Sequence, residues 1–546
     1  MRSSLMLAAV VILGVVGWCA GQEASKTADE IRHEATRPNE NEEGRALPLL
    51  SHWNSGVHPT AVGWGPDQQM RLIEQGHFLL PWFQHPYFDS TLDPAAGRIT
   101  IEYYRAALEK CRDLKLPIVF ICTEWDIVLS REPFYSLPPE QNPNVIGRDG
   151  KVLKQMDPLG PVEPWLQAGR LWTDSALMKE LQELYPDPPL VIFLSNNEHP
   201  RLRWTEVETS ERYVRKYGEG RDDNFKRKVV ADGFIERYRA LQEGMRQGLV
   251  SKAWKTNARF VAYDAFGPPH FGRWGGWKEY SLYVPGRIDP GPLMWDGAST
   301  SYYTHNWNPS TDYTVWSPQI EFMNQVFQLD EAYKLNPNFW YELSIWDGYT
   351  DGRTVPAEPD DKRKYYQSLG QTYTPERYGA FAQFGMWLLR PRVVREFRMH
   401  DQSWEDCKPY FMALAGAVDR VHTNPTLRQW WRTGQLAPNR ARRHPYQNDI
   451  PAEYAKADRW FLLEADCNPK EKTWESFWTV PVFSLALTRG EAPHREWLVY
   501  AHAPLGDHRD VTLTIPSYGT IKVDVSVGGS FYVVDEKART VAPITD

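Results

Sequence analysis

The chain has 546 residues with 42% hydrophobic content, which is enough for a large core and, by length alone, for two or three domains. It carries 62 Lys and Arg against 70 Asp and Glu, so the formal net charge is −8. Because the basic residues are scattered, no phosphate-binding face is indicated, and we expect no nucleic acid as a partner.

The first 21 residues have the pattern of a signal peptide. Arg2 gives a positive start, and the apolar segment 5–18 is too short to span a bilayer comfortably. We therefore expect cleavage near Gly21, a secreted or periplasmic protein, and no membrane attachment after cleavage. Lipid attachment at Cys19 is the alternative, although Trp18 fits it poorly.

Four cysteines follow the signal peptide, namely Cys111, Cys122, Cys407 and Cys467. For an exported chain of this size they do not form a disulfide framework, and their spacings match no zinc pattern. A bridge between Cys407 and Cys467 stays open.

Residues 22–46 are polar and show almost no apolar periodicity, which predicts a poorly ordered lead-in. From Leu47 onward, short apolar runs alternate with amphipathic stretches. The eight runs that predict strands are 49–53, 77–83, 117–123, 190–197, 259–264, 292–298, 339–345 and 393–399. Helices are predicted at 101–114, 175–184, 230–249, 319–334 and 375–389, the last with Thr374 as N-cap.

Strands that are buried on both faces and separated by helices pair in parallel, and eight of them favour closure. The predicted fold class is therefore α/β, a (β/α)₈ TIM barrel over residues 47–434. A Pro- and Arg-rich linker is predicted at 435–455. Only strand patterns follow it, so we expect a small antiparallel β-sandwich over 456–546.

Two predicted strands lead into glutamates. Asn197-Glu198 ends the fourth run, and Glu342 lies in the last part of the seventh. Active-site residues of a barrel lie at the carboxyl ends of its strands. Cleavage of a glycosidic bond needs one carboxyl group to protonate the departing oxygen and another to stabilise or bond to the anomeric carbon. The pair therefore predicts glycosidase chemistry, with Asp347 as the rival to Glu342.

In these motifs and their order along the chain, residues 47–434 resemble the clan A glycoside hydrolases, which are retaining enzymes on a (β/α)₈ barrel. The C-terminal segment resembles the accessory sandwich that many of them carry. The resemblance implies that Glu198 is the acid/base, that Glu342 is the nucleophile and that Asn197 binds the sugar hydroxyl beside the anomeric centre. It also implies a carbohydrate substrate and neither a metal nor an organic cofactor.

Polar and aromatic residues near the other predicted strand ends are candidate substrate contacts. They are His52 and Trp53 after strand one, His85 after strand two, Glu124 after strand three, Tyr302, Tyr303 and His305 after strand six, Trp346 after strand seven and Trp404 after strand eight. The resemblance favours an aromatic hydroxyl after strand six and an aromatic platform at Trp404. For each residue, ordering a loop is the alternative role.

Two other functions remain open at this stage. One is a non-catalytic carbohydrate-binding protein on the same barrel, and the other is a hydrolase with a metal bound by His and Asp residues at its rim. The sequence does not identify the sugar, the linkage, the choice between internal and terminal cleavage, or the oligomeric state.

Overall fold

The computed structural model describes residues 25–53, 65–85, 96–122, 125–195, 200–263, 291–303, 318–346, 374–396, 404–438, 461–468 and 480–545. Eight parallel strands form its largest sheet. They are β1 (Leu49–His52), β2 (Trp82–Gln84), β3 (Ile118–Cys122), β4 (Val191–Ser195), β5 (Ala258–Ala262), β6 (Gly297–Tyr303), β7 (Trp340–Trp346) and β8 (Val393–Glu396). Every residue of β1, β3, β4 and β8 is buried, as expected for strands covered on both faces.

The sheet closes into a barrel. Its neighbours follow the order β1, β8, β7, β6, β5, β4, β3, β2, and an isolated parallel bridge between Leu50 and Leu79 joins the two ends. At that seam Gln69 replaces a missing strand contact, because its side-chain amide bonds both the backbone N–H and the backbone carbonyl of Trp82. The predicted (β/α)₈ barrel is confirmed.

Helices surround the strands. They are α1 (25–36), α2 (Pro66–Glu74), α3 (Ala96–Asp113), α4 (Glu163–Thr173), α5 (Ala176–Leu184), α6 (Glu211–Tyr217), α7 (Asp223–Gly248), α8 (Lys252–Asn257), α9 (Gly291–Met294), α10 (Pro318–Leu335), α11 (Pro375–Leu389), α12 (Trp404–Thr423) and α13 (Pro425–Thr433). The predicted cap of α11 is confirmed, because the Thr374 hydroxyl accepts a hydrogen bond from the Arg377 N–H at 3.3 Å.

The sixth strand lies later in the chain than predicted. The apolar run at 292–298 begins with the short helix α9, and the strand runs through Ser299, Thr300 and Ser301 to Tyr303. Ser299 and Thr300 are fully buried. Small polar residues in a buried strand carry little hydrophobic signal, which explains the shift.

The predicted lead-in is folded from residue 25 onward, which corrects the expected start at Leu47. Helix α1 buries Ala28, Ile31 and Ala35 on one face. Arg392, which immediately precedes β8, donates to the backbone carbonyls of Glu34 and Ala35 at 2.6 and 3.0 Å. The helix therefore covers the barrel at the amino ends of its strands.

After the barrel, two antiparallel sheets pack face to face. One joins β9 (Gln435–Leu436), β11 (Phe483–Arg489), β12 (Glu496–His502), β15 (Ser530–Asp535) and β16 (Thr540–Pro543). The other joins β10 (Glu464–Ala465), β13 (His508–Ile515) and β14 (Gly519–Val525). A β-sandwich is confirmed, but β9 lies inside the predicted linker, so this β-domain recruits a strand from the end of the barrel.

Strand β12 connects the β-domain to the barrel. Trp497 and Val499 face the second sheet, whereas Leu498 and Tyr500 belong to the barrel core cluster, as strand alternation requires. The Tyr500 hydroxyl donates to the carbonyl of Ala380 in α11 at 2.7 Å. The β-domain therefore shares a core with the barrel.

His502 lies in this shared core among the rings of Phe384, Phe483 and Tyr500. Neither ring nitrogen has a hydrogen-bond partner among the described residues, and burial lowers the pKa of His502 to about 3. The unfolded chain binds a proton here below its ordinary pKa of 6.5, whereas the folded protein resists protonation until about pH 3. Folding stability is therefore lost as the pH falls through this window.

We expect His502→Phe to lose less stability on acidification than the wild type, by roughly 2 to 3 kcal/mol between about pH 7 and about pH 4.5. Urea unfolding at both pH values measures the difference. His494→Phe, at an exposed histidine of the same domain, is the control and should behave like the wild type. The same acid sensitivity in His502→Phe would contradict the proposed cause.

Candidate active site

A buried ion pair lies inside the barrel. The Arg395 guanidinium of β8 donates to both carboxylate oxygens of Glu342 in β7, at 2.7 and 3.0 Å. The Trp340 indole also donates to Glu342, at 2.9 Å. Arg395 further donates to the Ser51 hydroxyl and the His52 carbonyl, both at 2.8 Å. Glu342 and Arg395 are both inaccessible to solvent.

The prediction that Glu342 lies in the last part of its strand is wrong. Glu342 pairs with Val393, the first residue of β8, and β7 continues beyond it to Trp346. At about 3.3 Å per residue, roughly 13 Å of strand separate Glu342 from Trp346, the last residue of β7. The catalytic role of Glu342 stays a prediction.

The stagger of the barrel places Glu342 deeper still relative to β4. Hydrogen-bonded partners link Ser195, the last residue of β4, through Ala262 and Ala298 to Tyr341, near the start of β7. Followed from β4 toward β7, such rows descend toward the amino ends by about one residue per strand in an eight-stranded barrel. The residue of β7 level with Ser195 is therefore near Ser344, and Glu342 lies below it.

Trp53 lies above the ion pair. Its indole donates to the Ser344 hydroxyl at 2.7 Å, its ring meets Tyr263 edge-on at 5.7 Å, and the Arg395 guanidinium is 5.9 Å from the ring centre. Trp53 is buried, although it follows the carboxyl end of β1. It therefore forms an apolar floor between the barrel interior and the carboxyl ends of the strands.

His52 points away from this floor. Its ring packs 5.7 Å from Trp82 and 6.0 Å from Phe411, a residue of α12. Its Nδ1 bonds the Trp53 carbonyl at 2.7 Å, and its Nε2 is 3.6 Å from a carboxylate oxygen of Glu396. His52 therefore packs between the barrel strands and α12. Its predicted contact with substrate stays a prediction.

Two other predicted contacts are also buried. His85 lies among the rings of Phe120, Trp172 and Phe193, and burial lowers its pKa to about 3. Trp404, at the start of α12, is covered and meets Phe411 edge-on at 5.9 Å. The described residues do not bring His85 or Trp404 to the Trp53 floor.

The remaining predicted site residues lack a side-chain description. Asn197, Glu198, Glu124 and His305 lie outside the described residues, and so does the rival Asp347. For Tyr302, Tyr303 and Trp346 only the backbone is described, within β6 and β7. The Cys407 side chain is likewise outside them, so its pairing with Cys467 stays open.

Sequence reasoning missed Arg395, Ser344 and Tyr263. Arg395 had a signal, because a charged residue interrupts the apolar run that begins at Val393 and is buried on both faces. Ser344 and Tyr263, which contact Trp53, had no signal, since a serine in a strand and a tyrosine after one are ordinary. Within the described ranges, no group of three or more His, Cys, Asp or Glu converges as metal ligands, and no helix is long and apolar enough to cross a membrane.

Comparison with known proteins gives likenesses to solved structures alone, because no protein-family model and no curated protein matches the chain. An endo-β-1,4-mannanase of glycoside hydrolase family 26 from Cellulomonas fimi is 9% identical, with a TM-score of 0.36 over 88% of this chain and 93% of that one. A family 36 α-galactosidase from Geobacillus stearothermophilus is 10% identical, with a TM-score of 0.40 over 95% of this chain and 58% of that one.

A family 5 glycoside hydrolase from Prevotella bryantii is 10% identical, with a TM-score of 0.33 over 68% of this chain and 96% of that one. At such identities and TM-scores, these likenesses carry no information on the substrate or mechanism of this protein.

Proposed function

We propose that the protein is a glycoside hydrolase that cleaves a poly- or oligosaccharide with retention of anomeric configuration. One observation carries the proposal. In a closed parallel barrel, β4 ends at Ser195, just before Asn197-Glu198, and β7 ends at Trp346, just before Asp347. A carboxylic acid therefore follows the carboxyl end of each of two strands on opposite sides of the barrel, which is the face where barrel enzymes have their active sites.

In this proposal Glu198 is the acid/base. It protonates the departing glycosidic oxygen and then removes a proton from the water that hydrolyses the intermediate. Asn197 donates to the sugar hydroxyl beside the anomeric carbon, a contact that strengthens as charge develops. Trp53 would close the site from below and exclude water.

Two carboxylates of the β7 region compete for the nucleophile role. Glu342 is the sequence assignment, but it is buried and both its oxygens accept hydrogen bonds from Arg395. Asp347 directly follows the strand, and with the barrel stagger we expect it to be level with Glu198. The geometry of the described residues therefore favours Asp347 as the nucleophile and Glu342 as the partner that holds Arg395.

Secretion belongs to the same proposal. The predicted signal peptide ends near Gly21, and an exported enzyme meets polysaccharides outside the cell. Its support is the sequence pattern alone, because residues 1–24 lie outside the described part of the chain.

The test is the anomeric configuration of the first product. The mature protein is screened on plant and algal polysaccharides, and the first-formed sugar of an active reaction is followed by proton NMR. Retention is expected, because we propose that Glu198 and the nucleophile lie about 5 to 5.5 Å apart, the separation that supports double displacement. A separation of about 6.5 to 9.5 Å would leave room for direct attack by water, with inversion. Initial inversion would overturn the mechanism, and binding without turnover would favour a non-catalytic carbohydrate-binding protein.

A further inference from the structure

A cavity of about 270 Å³ lies where the barrel meets the β-domain. Helices α10 and α11 supply apolar walls, including Val326, Leu329 and Leu388, and β9 contributes Gln435 and Leu436. These residues lie at the amino ends of the barrel strands, because α11 leads directly into β8. The cavity is therefore separate from the candidate active site.

Arg390 brings a buried charge to this cavity. Its guanidinium donates to the Gly434 carbonyl and lies 5.8 Å from the centre of the Trp431 ring. Its Nε is buried without a hydrogen-bond partner, and no carboxylate of the described residues forms an ion pair with it. A buried charge without a counter-charge is costly unless something else compensates it.

The groups around the cavity compensate Arg390 only in part. Arg45 also lines the cavity, and although its guanidinium is paired with Glu40, its Nε is buried without a partner. Burial lowers the pKa of Arg390 well below its ordinary value, and the charge of Arg45 lowers it further. Glu40 and Tyr333 act on this pKa in the opposite direction without cancelling the effect of burial. Asp330 is the acidic residue in the wall, and Tyr333 adds a phenol.

The backbone of Arg390 indicates that its side chain is needed there. It ends α11 in the left-handed conformation, with φ of 48° and ψ of 58°. Glycine or asparagine takes this position at most helix ends, because other side chains are strained in it. An arginine at a strained position that also lines a cavity is more than a helix stop.

We propose that this cavity is a binding site for a small oxyanion, held between the Arg390 and Arg45 guanidinium groups. Phosphate, sulfate and a carboxylate share the chemistry required, namely oxygen acceptors for the guanidinium N–H donors and a negative charge to offset that of Arg390. A volume of about 270 Å³ admits any of these groups. The bound anion would join the barrel to the first strand of the β-domain.

Thermal unfolding of the full chain tests the site, because a ligand that binds only the folded state raises its Tm. Inorganic phosphate, sulfate and acetate are titrated separately against chloride at equal ionic strength. For at least one of them we expect a rise in Tm that begins at low anion concentration and then grows with the logarithm of that concentration, and the ranking of the anions identifies the preferred oxyanion. Sulfate and phosphate also stabilise proteins by exclusion from their surfaces, but that effect grows in proportion to salt concentration and is small at the low concentrations where a specific site fills.

Substitutions of the two arginines distinguish binding at this cavity from general stabilisation by salts. Arg390→Met and Arg45→Met should weaken oxyanion binding by roughly 10- to 100-fold, whereas Arg390→Lys should keep much of it. Arg246→Met is the control, since Arg246 pairs with Asp296 elsewhere in the barrel and should leave binding unchanged. The same logarithmic rise in both methionine variants as in the wild type, or no such rise with any of the three anions, would overturn the proposal. The readout is independent of enzymatic activity.

Discussion

We expect Glu342→Ala to lower the free energy of unfolding by about 3 to 5 kcal/mol, because it leaves the Arg395 guanidinium buried without its carboxylate. Both side chains are inaccessible to solvent and share two hydrogen bonds. Urea unfolding followed by tryptophan fluorescence measures the loss.

The double variant Glu342→Met, Arg395→Met is the matched control. It removes both charges and fills the space with apolar side chains, so it should recover most of the lost stability. Stability of Glu342→Ala equal to that of the wild type would show that the pair contributes little, and would free Glu342 for the nucleophile role.

Turnover measurements on the two alanine variants decide which carboxylate is the nucleophile. If Glu342 anchors Arg395 and Asp347 is the nucleophile, Asp347→Ala loses turnover without a comparable loss of stability, and azide restores part of it by entering the vacated space. Azide rescue of Glu342→Ala, with near-normal turnover in Asp347→Ala, would instead establish the original assignment.

For Glu198→Ala we expect a loss of roughly 10²- to 10⁴-fold in kcat on substrates with poor leaving groups. Aryl glycosides with activated leaving groups should lose far less in their first step, because their departing oxygen needs no proton. The measurement is kcat/KM across a series of leaving groups, which should depend more steeply on leaving-group pKa in the variant. An equal loss along the whole series would argue against an acid role for Glu198.

The barrel was predictable because its strands are continuous apolar runs. Runs such as Val191–Ser195 and Ile118–Cys122 are buried on both faces, and only a parallel sheet under helices buries strands in this way. Helix α1 escaped prediction because Glu34 and other charged residues surround its apolar positions. The spacing of Ala28, Ile31 and Ala35 was the helical signal present in the sequence.

The position of Glu342 within the barrel was not predictable in the same way. The chain shows that Glu342 lies in a strand, but its depth depends on how β7 is staggered against seven other strands. Likewise, nothing local pairs Glu342 with Arg395, since the two meet only when β7 and β8 lie side by side. The candidate site could therefore be assigned to strands from the sequence, but not to a level along them.

The seam of the barrel has a consequence for synthesis on the ribosome. β1 is joined to the segment before β2 by a single bridge, from Leu50 to Leu79, but to β8 by four paired residues, Leu49–His52 with Val393–Glu396. Helix α1 likewise depends on Arg392 for its carbonyl contacts. The first strand and first helix to emerge must therefore wait for some of the last barrel residues, so this barrel completes its fold late instead of growing outward from its amino terminus.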